Sequence, residues 1–165
     1  MPLDEHSQSI VEAFRAYIED YVGTDERYGK PTRHDRDDGT VLITRFEAAP
    51  SCWFEVALHP TTPQIRVGFL TDDQAMNQEI EQAIQESGDT LEKFVGFGFQ
   101  DAGLDWAQPP VEHYKDDEGH FGFVTPLVVE NLPDLEAEDL RDQTLRMLEG
   151  YLIAFGPAIV VEEEE

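Results

Sequence analysis

Residues 41–70 read VLITRFEAAPSCWFEVALHPTTPQIRVGFL, and this stretch decides the fold class. Apolar residues recur at every second position in runs near 41–46, 52–58 and 65–70, which is the period of a β-strand with two different faces. Pro60-Thr61-Thr62-Pro63 forms a turn between the second and third runs. Upstream, Asp37-Asp38-Gly39 separates residues 33–36 from Val41 and is a strong hairpin signal. The stretch therefore predicts three or four antiparallel strands joined by short loops.

Sequence patterns typical of helices precede and follow this block of strands. Ser9 and Glu12 read as a capping box that opens a first helix, with apolar residues through Tyr21 and a stop at Gly23. Asp72 and Asp73 cap a second helix. Gly88 should break that helix, and Asp89 or Thr90 should cap a continuation. The Gly96-Phe97-Gly98-Phe99 stretch is poor helix, because glycine costs about 1 kcal/mol against alanine, and it is expected to fray into a loop.

A second hairpin and a last helix complete the predicted order. Residues 111–114 and 120–129 flank the turn at 115–119, and Pro126 assigns the second strand, or its distal end, to a sheet edge. The last helix spans about residues 136–155 and ends at Pro157. The predicted class is α+β, with an antiparallel sheet of about five to six strands flanked by helices in the order α-β-β-β(-β)-α-β-β-α. Residues 1–161 form one domain, and 162–165 form an acidic disordered tail.

The charge balance restricts the class of partner. The chain carries 36 acidic and 11 Lys or Arg residues, a formal net charge of -25 on 165 residues. Such a surface repels nucleic acid and anionic lipid, so neither is expected as a partner. The acidity is typical both of a protein from a saline habitat and of one that holds a basic client, and the sequence leaves both open. A single cysteine, Cys52, and an acidic start unlike a secretory signal predict a cytoplasmic protein.

Structural roles explain the residues that could in principle bind a metal, bind a phosphate or act as a nucleophile. His113 and His120 flank the second hairpin and, beside Asp116 and Asp117, could in principle bind a metal; a histidine pair facing across the two strands is the favoured interpretation. The glycines at 96, 98 and 103 match no phosphate-binding motif. Cys52 would need a partner histidine and an electropositive pocket to act as a nucleophile, and in a chain short of positive charge it is expected in the core. We therefore predict no enzyme activity, no catalytic or metal-binding residues and no cofactor.

Apolar positions on the second hairpin and last helix suggest contact with other chains. A homodimer through this region is predicted, along with a protein client of unknown identity. The predicted interaction surface comprises Phe121, Phe123, Val124, Leu148, Leu152 and Phe155. The alternative is a small-molecule-binding domain or enzyme in a halophile-adapted protein, with a pocket between the sheet and the second helix lined by Trp53, Phe94, Phe97 and Trp106.

The order of elements resembles a known fold family. The residues that carry the resemblance are the helix at 10–21, the strand pair at 34–43, the strands at 53–58 and 65–70 leading into helix 76–97, and the segments 121–129 and 140–155. Together they are similar to the acidic class I type III secretion chaperones and the related YbjN family. The resemblance implies an antiparallel sheet flanked by helices, a homodimer and no catalysis. It also implies a non-enzymatic protein-binding module that takes up an extended or basic client segment.

Overall fold

The computed structural model describes residues 4–36, 40–61 and 63–159. The helices are α1 (Glu5–Gly23), α2 (Gln74–Ser87), α3 (Leu91–Asp101) and α4 (Glu138–Ile159), with a short 3-10 helix at Leu132–Glu136. The strands are β1 (Pro31–Arg33), β2 (Leu42–Ala49), β3 (Cys52–His59), β4 (Gln64–Thr71), β5 (Glu112–Lys115) and β6 (Phe121–Val128).

The six strands form one sheet in the order β1-β2-β3-β4-β6-β5, and every neighbouring pair is antiparallel. The predicted α+β class and element order are confirmed. β2, β3 and β4 form the meander predicted from residues 41–70, and β5 and β6 form the second hairpin. The turn expected at 37–39 and the acidic tail at 162–165 lie outside the described residues.

All four long helices cover the same face of the sheet, where the hydrophobic core forms. Phe155 of α4 stacks on Phe69 of β4 at 5.1 Å between ring centroids and contacts Phe123 of β6 at 5.0 Å. Phe14 of α1 and Phe99 of α3 are fully buried in the same core. Because side chains alternate along a strand, the residues between these core positions point to the opposite face. In the described part of the chain no helix covers that second face.

The start of α1 differs from the sequence prediction. The helix begins at Glu5, and the carboxylate of Asp4 accepts a hydrogen bond of 2.7 Å from the backbone N–H of Ser7. The predicted capping box at Ser9 and Glu12 is therefore wrong, because Ser9 already lies inside the helix. Asp4 offers the same side-chain acceptor to the first turn one turn earlier, followed at once by Glu5. The predicted stop at Gly23 is confirmed.

The break between α2 and α3 is confirmed at Gly88, which has φ of 80°, and the side chain of Thr90 caps α3 by accepting from Lys93. The expected fraying of residues 96–99 is wrong, because all four are helical. Tertiary packing outweighs their low helix propensity, since Gly98 allows α3 to approach α4 closely at Gly150.

The predictions made from Pro126 and Pro157 have different outcomes. Pro126 pairs with Arg66 of β4, and β5 covers β6 only from Phe121 to Val124, so the distal end of β6 is a sheet edge as predicted. Pro157 does not end α4, which continues to Ile159. Pro157 lacks the N–H that would bond to the carbonyl of Ile153, and only two more residues of the helix follow it.

Cys52 begins β3 and is fully buried, as expected for a core residue. Its thiol donates to the hydroxyl of Thr71 across the β3–β4 pair, with 3.8 Å between sulfur and oxygen.

Candidate functional site

A cleft of about 720 Å³ lies on the sheet face away from the helices. Nine residues line it, and we call it the open-face cleft: His34, Asp35, Arg36, Ile43, Arg45, Tyr114, Asp116, Asp117 and Glu118. His34 follows β1 and Tyr114 lies in β5, the two edge strands of the sheet. In a flat six-stranded sheet these edges would stand about 24 Å apart at about 4.8 Å per strand. Their presence in one cavity shows that the sheet is curled and this face is concave.

An ion pair forms part of the cleft floor. Arg45 of β2 and Glu55 of β3 are cross-strand partners, and Nε of Arg45 donates to the Glu55 carboxylate at 3.0 Å. Both side chains are about nine-tenths buried, at 12% and 11% exposure. Each charge therefore depends on the other for its compensation, and the floor is a fixed polar surface with no net charge.

Tyr114 forms one wall because its strand neighbour is a glycine. Tyr114 of β5 pairs with Gly122 of β6, and a Cβ at position 122 would come within 2.6 Å of the tyrosine ring. The ring therefore lies flat over the backbone of β6. Burial, reinforced by the nearby Glu55 carboxylate, raises the pKa of Tyr114 to about 12. The phenol is thus a neutral donor and acceptor at physiological pH.

The turn between β5 and β6 continues this wall with Asp116, Asp117 and Glu118. One carboxylate oxygen of Asp116 accepts from the backbone N–H groups of Glu118 and His120, at 2.9 and 2.8 Å. Burial alone would raise the pKa of Asp116, but the hydrogen bond from the His120 N–H and the charge of that ring bring it below its ordinary value. The wall therefore keeps its negative charge at neutral pH.

The opposite wall, residues 34–36, is held in place by α1. The guanidinium of Arg15, only 6% exposed, donates to both carboxylate oxygens of Asp35 at 2.8 and 2.9 Å. Nearby, Arg33 of β1 forms ion pairs with Glu12 and Glu19 of α1. Because bidentate pairs fix geometry as well as charge, the short β1 segment is anchored firmly enough to serve as a wall.

We expect Asp35→Ala to lower the free energy of unfolding by about 2 kcal/mol at pH 7, because it leaves the buried Arg15 charge uncompensated; partial exposure of Asp35 keeps the loss below that of a fully buried pair. Burial opposes ionisation of Asp35, but the hydrogen bonds from Arg15 hold its pKa below the ordinary value. A depressed carboxyl pKa stabilises the fold above the unfolded pKa of about 3.9 and loses that effect as the pH falls.

Urea denaturation of Asp35→Ala and wild type at pH 7 and pH 3 measures both effects. The difference between the two proteins should shrink at pH 3. Asp20→Ala, an exposed site on the same helix, is the matched control and should change stability by less than about 0.5 kcal/mol. If Asp35→Ala lowered the free energy of unfolding as little as Asp20→Ala, the anchoring role of Asp35 would be contradicted.

The structure places most of the predicted interaction surface inside the monomer. Phe123, Val124, Leu148 and Phe155 are each at most 3% exposed, and Phe123, Leu148 and Phe155 belong to the helix-side core. Val124 lies on the other face, between Gly68 and Glu112. Such side chains are not available to a partner without unfolding. Phe121 and Leu152 are partly exposed.

The predicted histidine pair is corrected by the strand register. His113 pairs with Phe123, and its ring stacks on that phenylalanine at 3.9 Å on the helix side, where it contacts Asn77 of α2. His120 instead precedes β6 and faces Asp116. The two histidines therefore do not face each other, because the His113–Phe123 pair lies three pairs along the ladder from Asp116 and His120.

The residues of the alternative pocket are distributed over several places. Trp53 lies on the open face beside His120, Phe94 packs on Phe155, Phe97 is 55% exposed, and Trp106 contacts Phe99. Sequence reasoning missed the open-face cleft because its walls come from opposite edges of the sheet. The available signal was Glu55, an acid inside the apolar strand CWFEVALH, which requires a partner when the strand is buried.

Comparison with known proteins adds no family. No protein-family model, no curated protein and no solved structure matches the chain. Among the described residues, no helix combines the length and apolar character needed to cross a lipid bilayer.

Proposed function

We propose that this protein is a non-enzymatic protein-binding domain whose open-face cleft receives an extended, positively charged segment of a client protein. The observation that carries the proposal is the concave, helix-free sheet face, with a cleft of about 720 Å³ beside the acidic turn. The opposite face is filled by the hydrophobic core. The resemblance to class I secretion chaperones, whose clients bind in extended form, agrees with this assignment.

The charges of the cleft favour a cationic segment. Asp35 and Arg45 are neutralised by Arg15 and Glu55, as described above. The remaining charged lining residues are Arg36 against Asp116, Asp117 and Glu118, so the cleft has an excess of two negative charges. Asp117 and Glu118 are exposed at the cleft wall. Lysine or arginine side chains entering the cleft would meet these carboxylates with little prior desolvation.

The partnered polar groups of the cleft floor and walls support binding over catalysis. Arg45, Asp35 and Asp116 each hold a partner within the protein, at Glu55, Arg15 and His120. Groups committed in this way shape a surface and set its charge. Proton transfer to a ligand would require such a group to leave its partner.

Fluorescence anisotropy tests the proposal, with a labelled arginine-rich peptide and a glutamate-rich peptide of equal length, in buffer containing EDTA. Wild type should bind only the basic peptide. Asp117→Asn/Glu118→Gln should weaken binding about tenfold. Glu79→Gln/Glu86→Gln changes the same charge on exposed positions of α2 and should weaken it less than twofold.

Equal losses in both double variants would show that net charge alone attracts the peptide and would overturn the proposal. Tighter binding of a small polyamine than of the peptide, lost in the cleft variant, would favour the small-molecule alternative.

The homodimer remains a prediction, and its best-supported surface is now the distal edge of β6. Val128 is 74% exposed there, beyond the end of β5. If two copies pair through this edge, Val128→Asp should shift the sedimentation profile from dimer to monomer at tens of micromolar protein, without changing the thermal melt of the monomer. Val124→Asp is a poor probe because it places a charge at a buried site and should unfold the chain. A monomeric wild type would end the hypothesis.

A further inference from the structure

The turn between β5 and β6 gathers an imidazole and two carboxylates at the rim of the open-face cleft. The ring nitrogen Nδ1 of His120 lies 3.1 Å from Oδ2 of Asp116 and 3.8 Å from Oε1 of Glu118. The three potential ligand atoms all lie within 4.8 Å of one another. From this geometry we infer that Asp116, Glu118 and His120 bind one divalent zinc-like metal ion, and Zn²⁺ is the ion used to test the site.

The separations suit a first coordination shell of mixed nitrogen and oxygen atoms. Ligands at 2.0–2.2 Å from a tetrahedral zinc ion stand about 3.4 Å apart. The two measured distances bracket this value, so a modest rotation of the exposed Glu118 side chain completes the set. The imidazole distinguishes the cluster from an acidic patch, because Mg²⁺ and Ca²⁺ prefer oxygen ligands whereas zinc-like ions accept imidazole nitrogen.

The cluster is fixed from below and open on its cleft side. The ring of His120 is 13% exposed and packs edge-to-face on Trp53 at 5.7 Å. Asp116 is held by the backbone N–H groups of its own turn, as described above. Asp116 and Glu118 line the open-face cleft, so the cluster can be reached from that side.

His34 lines the same cleft as Asp116 and Glu118 but is not part of the cluster. Its Nε2 lies 2.9 Å from the hydroxyl oxygen of Thr32. Asp116, Glu118 and His120 therefore form the proposed site.

Isothermal titration of the full chain with ZnCl₂, in 150 mM NaCl and 5 mM MgCl₂, tests this site. We expect one site per chain that resists magnesium. Glu118→Gln and His120→Gln should each lower its affinity at least tenfold, because even outer-shell changes cost 10–100-fold. The His120 ring signals in NMR should shift on saturation, and those of His59 should not.

The control variant Glu79→Gln removes one exposed carboxylate from α2 and should leave zinc affinity unchanged. Glu118→Gln, which alters only a 75% exposed side chain, keeps the test valid if His120→Gln disturbs the turn. The proposal would be overturned if wild type bound no zinc in the presence of MgCl₂, or if Glu118→Gln bound zinc as tightly as wild type. The anisotropy experiment with the basic peptide contains EDTA, which removes zinc. Its outcome therefore tests the proposed function independently of the zinc result.

Discussion

Replacing Phe155 with alanine is expected to lower the free energy of unfolding by about 3–5 kcal/mol. Phe155 is 1% exposed and contacts four aromatic rings, at 5.0–5.6 Å between centroids: Phe69, Phe94, Phe123 and Tyr151. These rings belong to the sheet and to α3 and α4, so no single element can move to fill the cavity. The lost contacts therefore remain lost, which places the cost in the upper range for large-to-small changes.

Guanidinium denaturation with the transition followed by circular dichroism measures this effect. Phe97→Ala removes the same atoms from a side chain of α3 that is 55% exposed, and it should cost less than about 1 kcal/mol. Similar losses for the two variants would show that Phe155 does not occupy the centre of the core.

Gly98→Ala should destabilise the fold by about 3 kcal/mol, although alanine is the better helix former. A Cβ at position 98 would overlap the backbone carbonyl oxygen of Gly150 in α4 and would lie 3.2 Å from Cβ of Ala154. A backbone atom cannot rotate away, so α3 and α4 would have to separate. This overpacking outweighs the propensity gain of about 1 kcal/mol.

Gly156→Ala is the matched control in α4, since the nearest atom to its new methyl group would be Cδ1 of Leu152 at 3.7 Å. It should be neutral or stabilise the protein by up to about 1 kcal/mol. The melting temperature of Gly98→Ala should therefore fall, whereas that of Gly156→Ala should stay unchanged or rise. A stabilised Gly98→Ala protein would contradict the close approach of α3 to α4.

A feature of this fold could be predicted from the sequence when residues close to it in the chain determine it. The period-two runs at 41–70 and the stops at Gly23 and Gly88 depend on neighbouring residues, and they were predicted. The prediction of a frayed loop at Gly96 and Gly98 was wrong because tertiary contacts override their low helix propensity: Gly98 packs against α4 at Gly150, and Gly96 packs against the backbone of Ala107. The edge character of distal β6 could be predicted because Pro126 lacks a backbone donor.

The open-face cleft could not be predicted, because it depends on residues that are distant in the sequence. Its walls lie about 80 residues apart, and only the curvature of the sheet brings His34 towards Glu118. The core positions Phe123 and Phe155 were recognised as apolar, but their pattern does not show whether a helix of the same chain or a second copy covers them.

The burial of Cys52 gives the protein a built-in reporter of its own opening. A thiol must reach solvent as a thiolate before it reacts with a disulfide reagent. Cys52 is fully buried in the first position of β3, an inner strand of the sheet. Its labelling rate in the native state should therefore follow whole-molecule unfolding, while fraying of helix ends leaves it unchanged. Because the chain has one cysteine, this single rate can rank variants at neutral pH without any denaturant.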